Sequence, residues 1–240
     1  MDLTKTKVFV TGTNRGLGKE LAKALLAAGV EKLYAGARDT SLLADLTSDS
    51  RANPVSIDIT NADHVQEATE ICGDIDLLIN NAGKNFNVPL IGSKDLSATR
   101  EEIETNLFGT LQMCRAFAPV LKKNGGGMIV NLVSVLSRVS IPAIGSVCTS
   151  KAALLMMNNG VRAELAGQGT HVMAVLPGGI DTDMNPGAES SPVDIAKDIL
   201  DAITNDEEDI WPGAMAQGIK EGLEKDPKSV EKEFAAYLPE

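Results

Sequence analysis

The sequence predicts an α/β fold built on a doubly wound parallel sheet of six to seven strands. Two observations predict it. Short β-branched or aliphatic runs bounded by Gly, Asn or Pro alternate with longer segments of helical period, as in βαβ units. Those runs read as buried strands. The chain of 240 residues, 43% apolar and 23% charged, suits one globular domain with its own core and fits neither a disordered nor a fibrous polymer.

The strands fall at 7–10, 32–36, 54–57, 77–79, 128–132 and 171–176, with 209–211 as a short edge strand. Between the first two, 17–28 places Leu17, Leu21, Ala24, Leu25 and Ala28 on one helical face, and Gly29 closes that helix. Segments 62–72, 99–122 and 146–166 are also helical, the last two the longest. Asn124-Gly125-Gly126-Gly127 ends the helix over 99–122 before its strand. From Asp206 onward the chain turns acidic and polar, which reads as a solvated helical appendage rather than a binding tail. Residues 1–240 are therefore expected to form a single domain, with about 193–240 as its C-terminal helical extension.

Charge and composition exclude several functions. With 22 Lys and Arg against 33 Asp and Glu the formal charge is -11, so a nucleic-acid backbone or an anionic membrane is repelled on average. Three cysteines, Cys72, Cys114 and Cys148, form no CxxC, and with only two histidines neither a disulfide framework nor a zinc site has its ligands. A reduced cytoplasm is the expected compartment. The start, Met1-Asp2-Leu3-Thr4-Lys5, has no apolar stretch behind a basic one, and no run approaches the roughly 20 apolar residues of a spanning helix. Aromatics make up 3%, and only two are tyrosines, Tyr34 and Tyr237.

Val8-Phe9-Val10 runs into Thr11-Gly12-Thr13-Asn14-Arg15-Gly16-Leu17-Gly18, and a helix begins. A pyrophosphate must approach the backbone where strand turns into helix, so side chains must be absent and helix N-terminal amides must face the anion. The GxxxGxG spacing resembles the TGxxxGxG turn of the short-chain dehydrogenase/reductase family, and the family's other landmarks follow in order. Asp58, followed by Ile59, ends the third strand where the family contacts adenine. Asn80-Asn81-Ala82-Gly83 resembles its NNAG, and Asn106 in Asn106-Leu107-Phe108-Gly109 its active-site Asn. Met128 to Ser134 looks like the fifth strand ending on the active-site Ser, and Pro177-Gly178-Gly179-Ile180-Asp181-Thr182 like the PGxxxT that holds the nicotinamide carboxamide. The resemblance spans roughly residues 5–200. It implies a Rossmann-like fold whose dinucleotide lies against Gly12, Asn14, Arg15, Gly16, Leu17, Gly18, Arg38, Asp58, Ile59, Asn81, Ala82, Gly83, Lys151, Pro177, Gly178, Ile180 and Thr182.

Charge after the second strand selects the dinucleotide. An acid there hydrogen-bonds the free ribose hydroxyls of NAD, whereas arginine pairs with the extra phosphate of NADP. Gly36 and Ala37 are neutral, Arg38 follows, and Arg15 adds a cation inside the glycine turn, so NADP(H) is the expected cofactor.

At the chemical end, the resemblance implies that Ser134 and a tyrosine bind the substrate oxygen, that Lys151 lowers the phenol pKa and holds the ribose, and that Asn106 organises a water relay. Lys151 stands in Ser150-Lys151-Ala152-Ala153, which matches the family's SKAA. Four residues earlier, and thirteen after Ser134, the expected tyrosine is Val147. Ser146 lies about 100° away around a helix of ~3.6 residues per turn and is not in the phenol's place. Cys148 and Thr149 are displaced likewise. Tyr34, on the second strand near the adenine end, and Tyr237, near the C-terminus, do not carry over. Three readings follow: a Tyr-to-Val variant of an active reductase; chemistry that needs no phenol proton, such as reduction of a protonated imine; or a catalytically inactive NADPH-binding or regulatory protein.

The segment 183–192, where the family covers its substrate, is short, so a small carbonyl or imine compound is expected. Phe86, Val88, Leu136, Ile141, Ile144, Gly179 and Met184 would wall the pocket. The helices over 99–122 and 146–166 carry apolar residues on more than one side, resembling the family's dimer-forming pair, so a homodimer or homotetramer is expected.

Overall fold

The computed structural model describes residues 1–239. Seven strands, β1 (Lys7–Thr11), β2 (Lys32–Ala37), β3 (Ala52–Ser56), β4 (Leu77–Asn80), β5 (Gly127–Leu132), β6 (Thr170–Val175) and β7 (Asp209–Ile210), form one parallel sheet in the order β3-β2-β1-β4-β5-β6-β7. The helices are α1 (Gly16–Ala27), α2 (Ala62–Ile71), α3 (Ser97–Ile103), α4 (Thr110–Lys123), α5 (Gly145–Leu165), α6 (Pro192–Thr204), α7 (Ala214–Lys225) and α8 (Pro227–Phe234). Winding runs outward from β1 to β3 and then outward from β4 to β7. The two halves meet at β1 and β4, and the crevice beyond their C-terminal ends is where ligands bind in such sheets.

Strand periodicity divides the core. Val8, Val10, Ile79 and Val130 bury on one face with Leu21 and Leu25 of α1 and Ile199 of α6. Phe9, Leu78 and Ile129 point to the other, against Met113 and Phe117 of α4, the Phe9 and Phe117 rings 5.5 Å apart. Pro54 is tolerated because β3 is an edge strand. A row of amides crosses the second layer: Asn80 Nδ2 donates to Asn131 Oδ1 at 2.9 Å, and Asn131 Nδ2 to Asn158 Oδ1 at 2.9 Å. All three side chains are buried, and the end atoms, Asn80 Oδ1 and Asn158 Nδ2, meet no partner among the described residues.

Two sequence expectations are corrected. The helix over 99–122 is not continuous: α3 and α4 flank a π-helical turn, Glu104–Gly109. Two local demands produce it. Asn106 turns inward to bond the backbone of Lys84, and Gly109 lies against Ile59, where a Cβ would stand 2.9 Å from Ile59 Cδ1. Secondly, the chain after Asp206 is packed, not merely solvated. Trp211, Ala216, Ile219, Val230 and Phe234 bury with Val133, Val135 and Leu154 in a third apolar cluster. The charges there occupy only the outer helix faces. No helix among the described residues is long and apolar enough to cross a membrane.

Candidate active site

The turn after β1 is held by the chain leaving β4. Thr11 Oγ1 accepts from the Asn81 and Ala82 amides, both at 3.1 Å, and Asn81 Nδ2 donates to Thr11 O at 2.9 Å and Gly12 O at 3.1 Å. Gly12 and Gly16 have φ of 73° and 55°. Gly18 is enforced by contact: a Cβ there would lie 2.2 Å from Gly12 O and 2.3 Å from Asn81 Nδ2. The Arg15 N-cap is extended and makes no side-chain capping bond, which leaves the first amides of α1 for an anion. Asn14 lies in this turn half-buried, and Leu17 is buried beneath it. Thr182 closes on the turn, its Cγ2 3.4 Å from a Cβ placed at Gly16.

Arg15 is exposed and pairs at 3.5 Å with Asp183, on the segment after Thr182. Arg38 is exposed just beyond β2. Burial pushes the Asp58 carboxyl up, but hydrogen bonds from Thr60 N at 2.9 Å and Thr60 Oγ1 at 2.7 Å, with the Arg38 and Lys84 charges, bring it below its ordinary value. Ile59 is buried against Gly109, and Gly83 brings the crevice to Asn106 and Lys151: a Cβ there would be 3.1 Å from Asn106 Oδ1 and 3.9 Å from Lys151 Nζ. Pro177, Gly178 and Ile180 follow β6 and lead into a compact fold-back, in which Asp181 N donates to Ser190 O at 2.9 Å and Gly187 N to Asp181 Oδ1 at 2.8 Å.

Ser134 follows β5, its Oγ accepting from Leu136 N at 3.1 Å and donating to Pro177 O at 3.4 Å. Lys151 Nζ donates to Leu132 O at 2.8 Å, and burial without a charged partner lowers its pKa to about 8. Asn106, 1% exposed, grips Lys84 from both sides: Oδ1 accepts from Lys84 N at 2.8 Å while Nδ2 donates to Lys84 O and to Ser150 Oγ, each at 2.9 Å. Ser150 in turn donates to Val147 O at 2.8 Å.

Val147 lies near the start of α5, 3% exposed and one turn before Lys151, and it has no proton to give. The neighbouring side chains are committed elsewhere. Thr149 Oγ1 donates to Gly145 O at 3.0 Å, the Ser146 hydroxyl donates to Glu102, and Cys148 Sγ lies 3.5 Å from Ile141 N with its thiol pKa pushed up by burial. Tyr34 is not at the adenine end. Its hydroxyl donates to Asp74 Oδ1 at 2.6 Å and accepts from Lys32, the first residue of β2, at the N-terminal end of the strands, opposite the crevice. Burial, then the Asp74 bond, raises its pKa. Tyr237 is brought nearer than its sequence position implies: its carbonyl accepts from Ala143 N at 3.1 Å, beside the 3-10 turn Pro142–Ile144 that feeds α5. Its ring is 58% exposed.

Of the expected pocket walls, Phe86 and Met184 are exposed, whereas Leu136 and Ile141 pack against the third cluster. One residue was not legible from the sequence. Glu102 reads as part of a charged helix face in Arg100-Glu101-Glu102, yet it is fully buried beside the start of α5, accepting from Phe86 N at 2.6 Å.

Known proteins share this fold. Residues 6–192 match the short chain dehydrogenase family. The chain is 43% identical to a short chain dehydrogenase from Burkholderia cenocepacia J2315, whose crystal structure is a complex with NADP; the two superpose with a TM-score of 0.93 over 98% of this chain and 99% of that one. It is 32% identical to dehydrogenase/reductase SDR family member 7B of Danio rerio, over 85% of this chain and 75% of that protein. It is 31% identical to the ketoacyl reductase HetN of Nostoc sp., over 85% of this chain and 77% of that protein. Matched to that family over residues 6–192, most of its length, the chain belongs to the short chain dehydrogenase family.

Proposed function

We propose that the chain is an NADP(H)-dependent oxidoreductase of a small carbonyl or imine compound, in a form whose proton-donating position is Val147. The observation that carries the reading is that Asn106 and Lys151 both face Gly83, with Lys151 held by the Leu132 carbonyl two residues before Ser134 and valine one turn before the lysine. The crevice fits the cofactor. Gly18 lets the start of α1 pack directly on the Gly12 turn, the first α1 amides carry no side-chain cap, and Arg38 and Arg15, the latter paired with Asp183, supply cations beyond the neutral end of β2 where the adenine ribose phosphate would lie. The NADP complex of the Burkholderia relative supports the same choice. The remaining contacts assigned to Asn14, Gly16, Leu17, Asp58, Ile59, Asn81, Ala82, Gly83, Pro177, Gly178, Ile180 and Thr182 belong to this proposal.

When bound, the cofactor supplies a hydride. The chain's own residues do the rest. The Ser134 hydroxyl offers a hydrogen bond to a substrate oxygen, and Lys151 places positive charge one turn from Val147. Asn106 fixes the Lys84 backbone and, through Ser150, the start of α5. A ketone would leave an oxygen that needs a proton, and a positioned acid contributes about 10²–10⁴ in rate. An iminium is already protonated and yields a neutral amine. A second reading, a catalytically inactive NADPH-binding or regulatory protein, is favoured by the commitment of Ser146, Thr149 and Cys148 to other partners.

The reading extends to a single domain over residues 1–240 that forms a homodimer or homotetramer through α4 and α5, which expose Phe108 and Met156 beside them, and to a cytoplasmic location, supported by three free buried thiols. The test is paired. NADPH binding is measured by fluorescence, and ketone and imine reduction are then compared in this chain and in Val147→Tyr. Ketone turnover restored about a hundredfold or more supports the damaged reductase. Imine turnover in the valine form alone supports altered chemistry, and tight binding with no turnover in either form supports the binding protein. No NADPH binding refutes all three.

A further inference from the structure

Glu102 is a carboxylate with no exposure and no cation in ion-pair range among the described residues, a costly group to bury without a purpose. Each of its oxygens accepts from one neutral donor. Oε1 accepts from Phe86 N at 2.6 Å and Oε2 accepts from the Ser146 hydroxyl, whose Oγ is also 3.0 Å from Thr99 Oγ1. The Ser146 amide donates to Val88 O at 3.2 Å. These bonds close a ring through α3, the chain at 86–88 and the start of α5. Between Phe86 and Val88, Asn87 sits at φ 55°, a left-handed conformation that few residues other than glycine adopt without cost. The chain from Gly83 to α3 has no helix or strand of its own; the ring, the Asn106 grip on Lys84 and the ion pair of Lys84 with Glu101 of α3 tie 84–88 to the helices, and of these only the ring holds Phe86 and Val88.

We propose that Glu102 is a positioning residue: it clamps Phe86 and Val88 against α5 and thereby sets the width of the substrate opening beside position 147, restricting it to compact substrates. The word substrate rests on the oxidoreductase reading above; the clamp itself does not. Its chemistry separates two variants. Glutamine can accept from Phe86 N with its oxygen and donate to Ser146 Oγ with its nitrogen, because the serine hydroxyl can rotate to donate to Thr99. Leucine fills the space and can do neither.

The first test uses the unaltered parent chain and reads amide hydrogen exchange over 84–92, with NADPH affinity as control. Removing hydrogen bonds to a charged group should speed exchange at Phe86 by about tenfold or more in Glu102→Leu, leave NADPH affinity within about twofold, and spare Glu102→Gln. The second uses the Val147→Tyr background with ethyl acetoacetate and the bulkier ethyl benzoylacetate. In Glu102→Leu the KM for ethyl acetoacetate should rise about tenfold with kcat within about threefold, preference against the bulky ester should shrink, and glutamine should restore both. Unchanged Phe86 exchange in the leucine variant, identical behaviour of Gln and Leu, or a fall in kcat with KM constant would overturn the proposal. If the Val147→Tyr parent reduces neither ester, the damaged-reductase branch of the functional reading fails for these substrates by itself, and the exchange experiment still decides for or against the clamp.

Discussion

Replacing Gly18 with alanine puts a methyl group 2.2 Å from the Gly12 carbonyl oxygen and 2.3 Å from Asn81 Nδ2. Comfortable carbon contacts lie near 3.5–4 Å, so one partner must retreat by more than about 1 Å. Neither is the free end of a flexible side chain. Gly12 O is backbone, and Asn81 Nδ2 is held by Thr11 O at 2.9 Å and Gly12 O at 3.1 Å. Displacing the amide forfeits two hydrogen bonds of about 1 kcal/mol each, overpacking adds about 1–3 kcal/mol, and the better helix propensity of alanine returns about 1 kcal/mol. The expected net loss is about 2–4 kcal/mol, or roughly 4–16 °C in Tm for a chain of this size. Gly160→Ala is the matched control, because nothing lies within 4 Å of its Cβ on α5, and it should stabilise by about 0.5–1 kcal/mol. Urea unfolding of both variants, with NADPH fluorescence titration, separates folding from binding. A Gly18→Ala protein within about 0.5 kcal/mol of the parent, with unaltered NADPH affinity, would refute the close-approach argument.

Three further outcomes are expected. Burial lowers Lys151 to about 8 from its ordinary 10.5, so the folded state carries the full penalty of a buried charge below pH 8 and sheds it as pH rises toward 10.5. Lys151→Met should therefore show its greatest gain relative to the parent near pH 7, up to roughly 3 kcal/mol before the lost bond to Leu132 O is counted, and that gain should shrink by pH 10; a pH-independent difference in denaturation midpoints contradicts this. Burial pushes the Cys72 and Cys148 thiols up and Cys114 up to about 12, so none should react with a thiol reagent in the native state at pH 8, whereas all three should react in urea; a fast native phase refutes it. Arg38→Asp should weaken NADPH at least about tenfold while affecting NADH far less, as parallel titrations will show; equal losses would remove Arg38 from phosphate recognition.

Most of the sheet was legible because its strands are short, apolar and punctuated, and the observed bounds shift by only a residue or two, as at β3, which starts at Ala52 rather than Pro54. The cofactor end was legible because phosphate geometry dictates glycine at fixed spacing. What escaped depends on tertiary contact. The π turn arises from Asn106 meeting Lys84 and Gly109 meeting Ile59, partners 22 and 50 residues away, and only the unfavourable mid-helix asparagine hinted at it. Glu102 gave no signal, since a glutamate among charged neighbours reads as surface until packing buries it. Tyr34 was placed on the correct strand but at the wrong end, because a strand assignment fixes the face of a residue and not the direction in which a long side chain leans.

The row Asn80, Asn131 and Asn158 also bears on how the halves of the sheet find each other. Asn80 and Asn131 are register partners across β4 and β5. Slipping β5 by one residue would bring Val130 or Leu132 opposite Asn80 and turn Asn131 to the other face, where it could reach neither amide. Three buried amides would then be stranded at about 1–3 kcal/mol apiece, a large part of the margin by which a domain is stable. Apolar strands alone discriminate poorly between neighbouring alignments, since valine, isoleucine and leucine pack almost interchangeably. The amide row acts as a key cut into that greasy lock: it rejects near-miss pairings before the cofactor crevice can assemble on them.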